Sequence, residues 1–333
     1  MIKILRYILF HIVPIYYLVT SFRNKLYDLG IKKTISYNFP VICVGNLSVG
    51  GTGKTPMIEY LIYLLKDEYK VATLSRGYKR KTEGFQVANS TSSAKSIGDE
   101  PFQFYSKFNK NIIVAVDSDR QNGIQNLQKK HPDVILLDDA FQHRKVKAGL
   151  NILLTTYANP YFNDVVLPTG NLREPKSGAK RANIIVVTKC PKILSESEKS
   201  NIIQRIKPKV HQHVFFSSIV YSEILFSWKL TKPLNELEFF TLVTGIANAT
   251  PLVDYLKNEN LNFEHLNFED HYDFTQEDIT TLERKKFIVT TEKDFMRLKQ
   301  YDSLKNKLFY LPIKVKIDNA FNMNEVIKYF VEN

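Results

Sequence analysis

The feature that most constrains this chain is a short apolar run followed by a glycine-rich loop. Val41-Ile-Cys-Val44 leads into Gly45-Asn-Leu-Ser-Val-Gly-Gly-Thr-Gly-Lys-Thr-Pro56, and a helical pattern covers Pro56–Asp67. Strand, glycine-rich loop, Lys-Thr and helix are the parts that hold a nucleoside triphosphate. Glycines let backbone N–H groups turn toward phosphate oxygens, and the helix start adds its positive dipole end. Ser48, Val49, Gly50, Gly51, Thr52 and Gly53 are thus expected to cradle phosphates. Lys54 reaches the β- and γ-phosphates, and the Thr55 hydroxyl holds Mg²⁺. Pro56 is tolerated because the first helical turn needs no N–H there. The usual spacing has glycine where Ser48 stands, so the loop departs from the common pattern at one position.

Such a loop belongs to an α/β fold, and the rest of the chain agrees. Apolar, β-branched runs recur at Val71–Leu74, Ile112–Val116, Val134–Leu137, Ile152–Thr155, Ile184–Thr188, His213–Ser217, Thr241–Thr244, Phe287–Thr290 and Leu308–Leu311. Continuous apolar runs suit buried parallel strands. Helical spacing returns at Pro251–Glu259. The expectation is α/β with mostly parallel sheets. With 333 residues there is room for two domains. Tyr221–Leu237 mixes polar residues with the single Trp and Pro233, which marks a boundary. The expected division is 1–35 as an N-terminal region, 36–220 as the nucleotide-binding domain, 221–237 as a linker and 238–333 as a second lobe.

Charge narrows the partners. Lys and Arg number 46 against 34 Asp and Glu, a net +12. A basic surface suits nucleic acid, anionic lipid or a phosphorylated substrate. The first 33 residues carry Lys3, Arg6, Arg23, Lys25, Lys32 and Lys33 against Asp28 alone. The apolar run Tyr7–Val19 lies inside this basic segment. It contains His11 and Pro14 and is shorter than the roughly 20 residues a spanning helix needs. Thr20–Lys25 offers no small-residue cleavage site. A membrane-interfacial helix is the expectation, with an anionic membrane surface as partner; a helix packed on the protein's own core is the alternative. Cys43 and Cys190 are far apart with no CxxC, which excludes a thiolate metal cluster and suits a reducing compartment. His211 and His213 have ligand-like spacing that strand alternation explains equally well.

A second acidic strand end supports the nucleotide site. Val134-Ile-Leu-Leu-Asp138-Asp139 ends an apolar strand in carboxylates, and Asp138 is placed to orient Mg²⁺ or its water. Thr188-Lys-Cys-Pro191 is a poor match to a guanine-reading NKxD. Val49 stands where partition-type ATPases carry an extra lysine.

Further motifs are Ser75-Arg-Gly-Tyr78, Gly98-Asp-Glu-Pro101, Asp139-Ala-Phe-Gln-His-Arg144, Leu167-Pro-Thr-Gly-Asn-Leu-Arg-Glu-Pro175, Asp270-His271 and Thr291-Glu-Lys-Asp294. From Val44 to Asp294, the set closely resembles the tetraacyldisaccharide 4′-kinase family of the lipid A pathway in Gram-negative bacteria. Ala140 and Asn171 depart from it, where the family usually has Gly and Pro. The resemblance implies a P-loop-containing α/β/α sandwich with a second, smaller α/β/α lobe and an N-terminal membrane-interfacial helix. It implies ATP and Mg²⁺ as cofactors and transfer of the γ-phosphoryl to the 4′-hydroxyl of a tetraacyldisaccharide 1-phosphate. It also implies an enzyme peripheral on the cytoplasmic face of the inner membrane, with neither nucleic acid nor an obligate protein partner.

By motif match, Asp99 and His271 form the catalytic pair, with Asp99 as proton acceptor and His271 tuning it. Lys54 and Asp138 complete the catalytic set. Thr55, Glu100 and Asp138 are the expected Mg²⁺ residues. Arg76, Asp139, Gln142, His143, Arg173 and Glu174 are expected to line the cleft, with Arg76 and Arg173 suited to phosphate or to ion pairs. Lys293 and Asp294 are expected to pair with each other. The competing functions are a P-loop switch ATPase that binds nucleic acid or a protein, and a membrane-associated module with a dead nucleotide site. The absence of a basic recognition helix and the intact Lys54, Thr55 and Asp138 weigh against them.

Overall fold

The computed structural model describes residues 9–228 and 230–333. Lys3, Arg6 and Tyr7 of the expected interfacial segment lie outside the described residues. After one 3-10 turn comes α1 (Val13–Asp28), with Pro at its start and no buried residue. Its polar side faces the protein. Tyr16 Oη donates to Arg173 O (2.9 Å), Arg23 Nη2 to Gln142 O (2.9 Å) and Asn24 Nδ2 to Glu174 Oε2 (2.7 Å). Ile15, Leu18, Val19 and Phe22 face outward, each more than 60% exposed. A surface helix of a soluble protein usually turns its apolar stripe inward; α1 does the reverse. No helix among the described residues is long and apolar enough to cross a membrane.

The first lobe follows as β1 (Val41–Asn46), α2 (Lys54–Leu65), β2 (Val71–Ser75), β3 (Gln86–Val87), α3 (Asp99–Phe108), β4 (Ile113–Val116), α4 (Arg120–Gln128), β5 (Val134–Asp138), β6 (Leu150–Thr156), β7 (Ile184–Thr188), α5 (Glu196–Ile206) and β8 (His213–Tyr221). The pairings β8-β7-β6-β1-β5-β2-β4 are all parallel, and β3 closes one edge antiparallel. Every residue of β1 is buried, as a strand covered on both faces requires. Val41 and Cys43 join Ile124 and Leu127 of α4 in one core; Ile42 and Val44 join Met57, Ile58 and Leu61 of α2 in the other. Strand alternation thus builds an α/β/α sandwich.

The second lobe comprises β9 (Ile224–Phe226), β10 (Thr231–Pro233), β11 (Phe239–Thr244), α6 (Thr250–Asn258), β12 (Asn262–Asn267), α7 (Gln276–Glu283), β13 (Ile288–Thr291), α8 (Glu292–Leu298) and β14 (Leu308–Leu311). Its sheet order is β10-β9-β14-β13-β11-β12. The chain then returns: β15 (Ile313–Ile317) pairs antiparallel with β8, and α9 (Ala320–Glu332) buries Met323, Ile327 and Val331 against the first lobe's core.

Two expected boundaries are corrected. The segment 221–237 is no linker, because Ile224–Phe226 and Thr231–Pro233 form an antiparallel pair on the second sheet. Strands of three residues, the edge one ending in proline, carry too little alternation to register in the sequence. The lobe expected over 238–333 stops at Leu311, since 313–332 belongs to the first lobe.

Candidate active site

The loop after β1 is held from three sides. Asn46 Nδ2 donates to Thr52 Oγ1 (2.8 Å), and Thr188 Oγ1 at the end of β7 donates to Thr52 O (2.8 Å). The 171–173 segment clamps the near side: Val49 N donates to Asn171 O (2.8 Å) and Arg173 N to Leu47 O (2.7 Å). This corrects one expectation. The Val49 amide is taken by Asn171, which withdraws it from the expected phosphate cradle. Gly50 and Gly53 have φ of 104° and 90°, which L side chains rarely adopt. Lys54 and Thr55 then open α2, whose first-turn amides have no intrahelical acceptor and suit an anion.

Acidic groups gather beside this loop. Lys54 Nζ lies 3.8 Å from Asp139 Oδ1, and Arg173 Nη1 bridges both Asp139 oxygens at 3.0 and 3.1 Å. Asp138 is buried at the end of β5. Its Oδ2 accepts from Ser75 Oγ (3.3 Å), while its Oδ1 is buried without a hydrogen-bond partner. Burial, then the charges of Asp139 and Glu100, push the Asp138 carboxyl up to about 7 against the pull of Lys54 and Arg120. An orphaned carboxylate oxygen amid like charges fits a divalent cation. Among the described residues no three His, Cys, Asp or Glu form a ready-made metal cage. That suits Mg²⁺, which takes one or two carboxylates and completes its shell with phosphate and water. Asp138, Glu100 and the Thr55 hydroxyl are the residues that could hold it.

The expected Asp99–His271 pair forms across the two lobes. Asp99 opens α3 directly, so Gly98-Asp-Glu-Pro101 is a helix start. Gly98 has φ 94°, and a Cβ there would lie 3.1 Å from Gly77 Cα, so the two glycines pack backbone to backbone. His271 Nδ1 lies 3.1 Å from Asp99 Oδ2, its backbone in the left-handed region at φ 58°. Tyr78 meets the His271 ring edge-on at 5.6 Å.

Two side chains complete this pair. Arg297 of α8 donates to Asp99 Oδ2 through Nε (2.9 Å) and Nη2 (2.5 Å), and Lys293 Nζ lies 2.9 Å from His271 Nε2. Arg297 Nη2 also lies 3.2 Å from His271 Nδ1, so each ring nitrogen faces a cationic side chain. Burial raises the Asp99 carboxyl, but hydrogen bonds from His271 and Arg297 and their charges outweigh it and hold it down at about 2.

The expected Lys293–Asp294 ion pair is corrected. Lys293 turns to His271, Asp270 (3.4 Å) and Glu100 (3.7 Å), while Asp294 binds Arg297 Nη1 (3.1 Å) and the Gly245 amide (2.9 Å). Neighbours on a helix face different ways, whereas residues three apart share a face.

Other expected cleft residues divide. Arg76 is exposed at the end of β2, and Asp139 and Arg173 lie beside Lys54. Glu174 does not line the cleft. It is 2% exposed and held by Asn24, Gln142 and Arg181 (2.7 Å). Gln142 also donates to Asn46 O (2.8 Å), so both residues brace α1 against the nucleotide loop. His143 is half-buried. Burial and the Arg120 charge hold it down at about 4, so it is neutral at pH 7.

Sequence reasoning missed Arg120, Lys189 and Arg297. Buried Arg120 donates to the Asp117 and Asp138 carbonyls (2.7 and 3.2 Å) behind the acidic strand end. Lys189 follows β7 with φ 56°, and a Cβ on Gly51 would lie 3.8 Å from its Nζ. Burial and the Lys54 charge both lower Lys189 from its ordinary value. The one available signal was helical: Asp294 and Arg297 stand three apart.

The family model described as Tetraacyldisaccharide-1-P 4'-kinase matches residues 5–331. The tetraacyldisaccharide 4'-kinase of Flavobacterium johnsoniae is 51% identical, with 99% of each chain covered. That of Bacteroides fragilis is 44% identical, covering 94% of this chain and 90% of its own. A solved LpxK from Aquifex aeolicus in complex with ATP superposes with a TM-score of 0.79 at 33% identity, covering 98% of this chain and 99% of that one. The chain belongs to the tetraacyldisaccharide-1-phosphate 4'-kinase family.

Proposed function

We propose that this chain transfers the γ-phosphoryl group of ATP to the 4′-hydroxyl of a tetraacyldisaccharide 1-phosphate, giving the 4′-phosphorylated lipid A precursor. The observation that carries the reading is the Asp99–His271 pair, made from two lobes, with Glu100 next in the chain and Lys54 both acting on Asp138. Lys54 and the 50–55 amides bind the triphosphate. Asp138, Thr55 and Glu100 would hold Mg²⁺, which would neutralise phosphate charge when bound. The sugar oxygen attacks the γ-phosphorus, the bond to the bridging oxygen breaks, and ADP leaves with the electron pair. The hydroxyl proton goes to Asp99. A carboxylate held down at about 2 is a weak base. It takes the proton late, once the new O–P bond has made the hydroxyl acidic, as a loose transition state allows. His271 orients Asp99 through Nδ1.

The substrate's acyl chains keep it in a bilayer, so the enzyme works at the membrane. Two features support this: the outward apolar face of α1, and an apolar groove of about 310 Å³ between Val13, Tyr17, Val166 and Leu172. The site of action is the cytoplasmic face of the inner membrane, where ATP is available, with α1 lying in the interface.

The test is transfer of labelled γ-phosphate from Mg-ATP to tetraacyldisaccharide 1-phosphate in detergent micelles, with Lys54→Ala and Asp99→Ala alongside. Labelled lipid with wild type and a loss of at least about 100-fold in each variant is expected. ATP consumption without labelled lipid would replace this reading with the switch ATPase.

A further inference from the structure

Away from the reacting groups lies a buried charge cluster that the mechanism does not use. Lys107 Nζ sits 2.7 Å from Glu59 Oε2 and 2.8 Å from Glu292 Oε1. Gln103 Nε2 donates to the other Glu59 oxygen (2.9 Å), and Glu292 Oε2 is buried without a partner. Burial disfavours the Lys107 charge, yet the two glutamates outweigh it and raise its pKa. Burial and Glu292 raise Glu59 in turn.

The three helices joined here each carry part of the site. Glu59 is on α2, which opens with Lys54 and Thr55. Lys107 is on α3, which opens with Asp99. Glu292 is the first residue of α8 in the other lobe, which also bears Lys293 on His271 and Arg297 on Asp99. One ammonium therefore ties the phosphate-binding helix, the Asp99 helix and the His271-supporting helix together. The Asp99–Arg297 contact joins α3 to α8 a second time. A buried ion cluster is a poor device for stability alone, since apolar residues of similar volume serve as well or better. What it does supply is one fixed alignment.

We propose that Lys107 is a positioning residue: by holding Glu59 and Glu292 together across the lobes, it sets the phosphate loop and the Asp99–His271 pair at their working separation. This rests on the reading of Asp99 and His271 as the catalytic pair.

The test is a double-mutant cycle in the labelled-phosphate assay, using the full chain with Lys107→Met, Lys107→Arg, Asp99→Ala and Lys107→Met/Asp99→Ala. Lys107→Met is expected to lower kcat about 30-fold with the ATP KM changed less than about threefold, since a misplacement near 1 Å costs up to about 100-fold. Lys107→Arg should restore at least a third of the rate. In the Asp99→Ala background, Lys107→Met should cost less than about twofold, because residues acting as one unit are non-additive. A full 30-fold loss in that background, or an unimpaired Lys107→Met enzyme, would overturn the proposal. If Lys107→Met does not fold, the isosteric Glu292→Gln enters the same cycle and is judged the same way. A wild-type chain that transfers no phosphate would sink the functional reading itself, a result distinct from additivity in an active enzyme.

Discussion

At the residue scale, Asp138 is a buried carboxyl with one unpartnered oxygen, a cost to the cation-free fold that a bound cation would offset. In an unfolded chain its carboxyl titrates near 3.8; folded, it is pushed up to about 7. Below about pH 4 it is protonated in both states and has no effect. Between about 4 and 7 the folded chain keeps a proton that the unfolded chain has released, so stability falls as pH rises. Above about 7 the penalty is complete. Asp138→Asn should therefore stabilise the nucleotide-free protein at pH 8 by about 2 kcal/mol, and its gain over wild type in urea unfolding should vanish near pH 4. The same variant should lose at least about 100-fold in transfer. A pH-independent difference would mean that Asp138 does not carry this penalty. Lys189 makes a second residue-scale case. Its ammonium sits over Gly51, and an anion between Lys189 and Lys54 would relieve their repulsion. Lys189→Ala should raise the ATP KM about tenfold with a smaller change in kcat, as loss of a phosphate contact made equally in ground and transition states would. An unchanged KM would leave Lys189 without that contact. Asp99, His271, Lys54 and Asp138 were legible because chemistry concentrates them in short motifs. Arg120 and Arg297 were not, because each acts through a neighbour brought by the fold, and Lys189 was not, because only the fold brings it over Gly51. Glu174 stood inside such a motif yet proved to be a buried brace, since a motif does not reveal which way a side chain turns.

At the element scale, the strands of the first sheet were legible because burial on both faces leaves continuous apolar runs. The hairpin Ile224–Phe226 and Thr231–Pro233 was not, because strands of three residues show no period. Helix α1 is the instructive middle case. Its sequence announces apolar and basic residues, but only the fold shows that polar contacts dock it and that Leu18 and Phe22 face away from the protein. Such a face loses little on mutation unless something apolar covers it. Leu18→Asp/Phe22→Asp should leave the unfolding midpoint within about 2 °C of wild type, since exposed substitutions stay within about 0.5 kcal/mol. Binding to vesicles containing anionic lipid should weaken at least about 100-fold, from roughly 2 kcal/mol of lost burial per side chain. A variant that unfolds early with unaltered vesicle binding would instead show that the face is covered by protein.

At the scale of the whole molecule, the second lobe is an insertion between two neighbouring strands. The chain leaves the first sheet at Tyr221 and re-enters at Ile313, and these two residues are register partners in the β8–β15 pair. Ser222 N donates to Pro312 O (3.0 Å), so the exit and entry points are joined by a backbone hydrogen bond. This ribbon is the covalent connection between the lobes. The cleft is otherwise closed by side chains: Asp99 with Arg297 and His271, Lys107 with Glu292, and Ile97, Phe102 and Val116 packed with Phe295 of the second lobe. The sequence places His271 and Asp99 172 positions apart, and the insertion explains how the pair forms without threading the chain. It also predicts separability. Replacing 223–311 by a two-residue Asn-Gly turn should leave a folded first lobe, because β8, β15 and α9 keep their partners and a short hairpin suits the spacing. The exposed Ile97, Phe102 and Val116 should cost it roughly 3 kcal/mol in all. That fragment should still bind ATP through the 50–55 loop, but it should transfer no phosphate, having lost His271, Lys293 and Arg297. A fragment that fails to bind ATP while folded would show that the second lobe shapes the nucleotide site. A fragment that still phosphorylates lipid would remove the second lobe, and with it His271, from the chemistry.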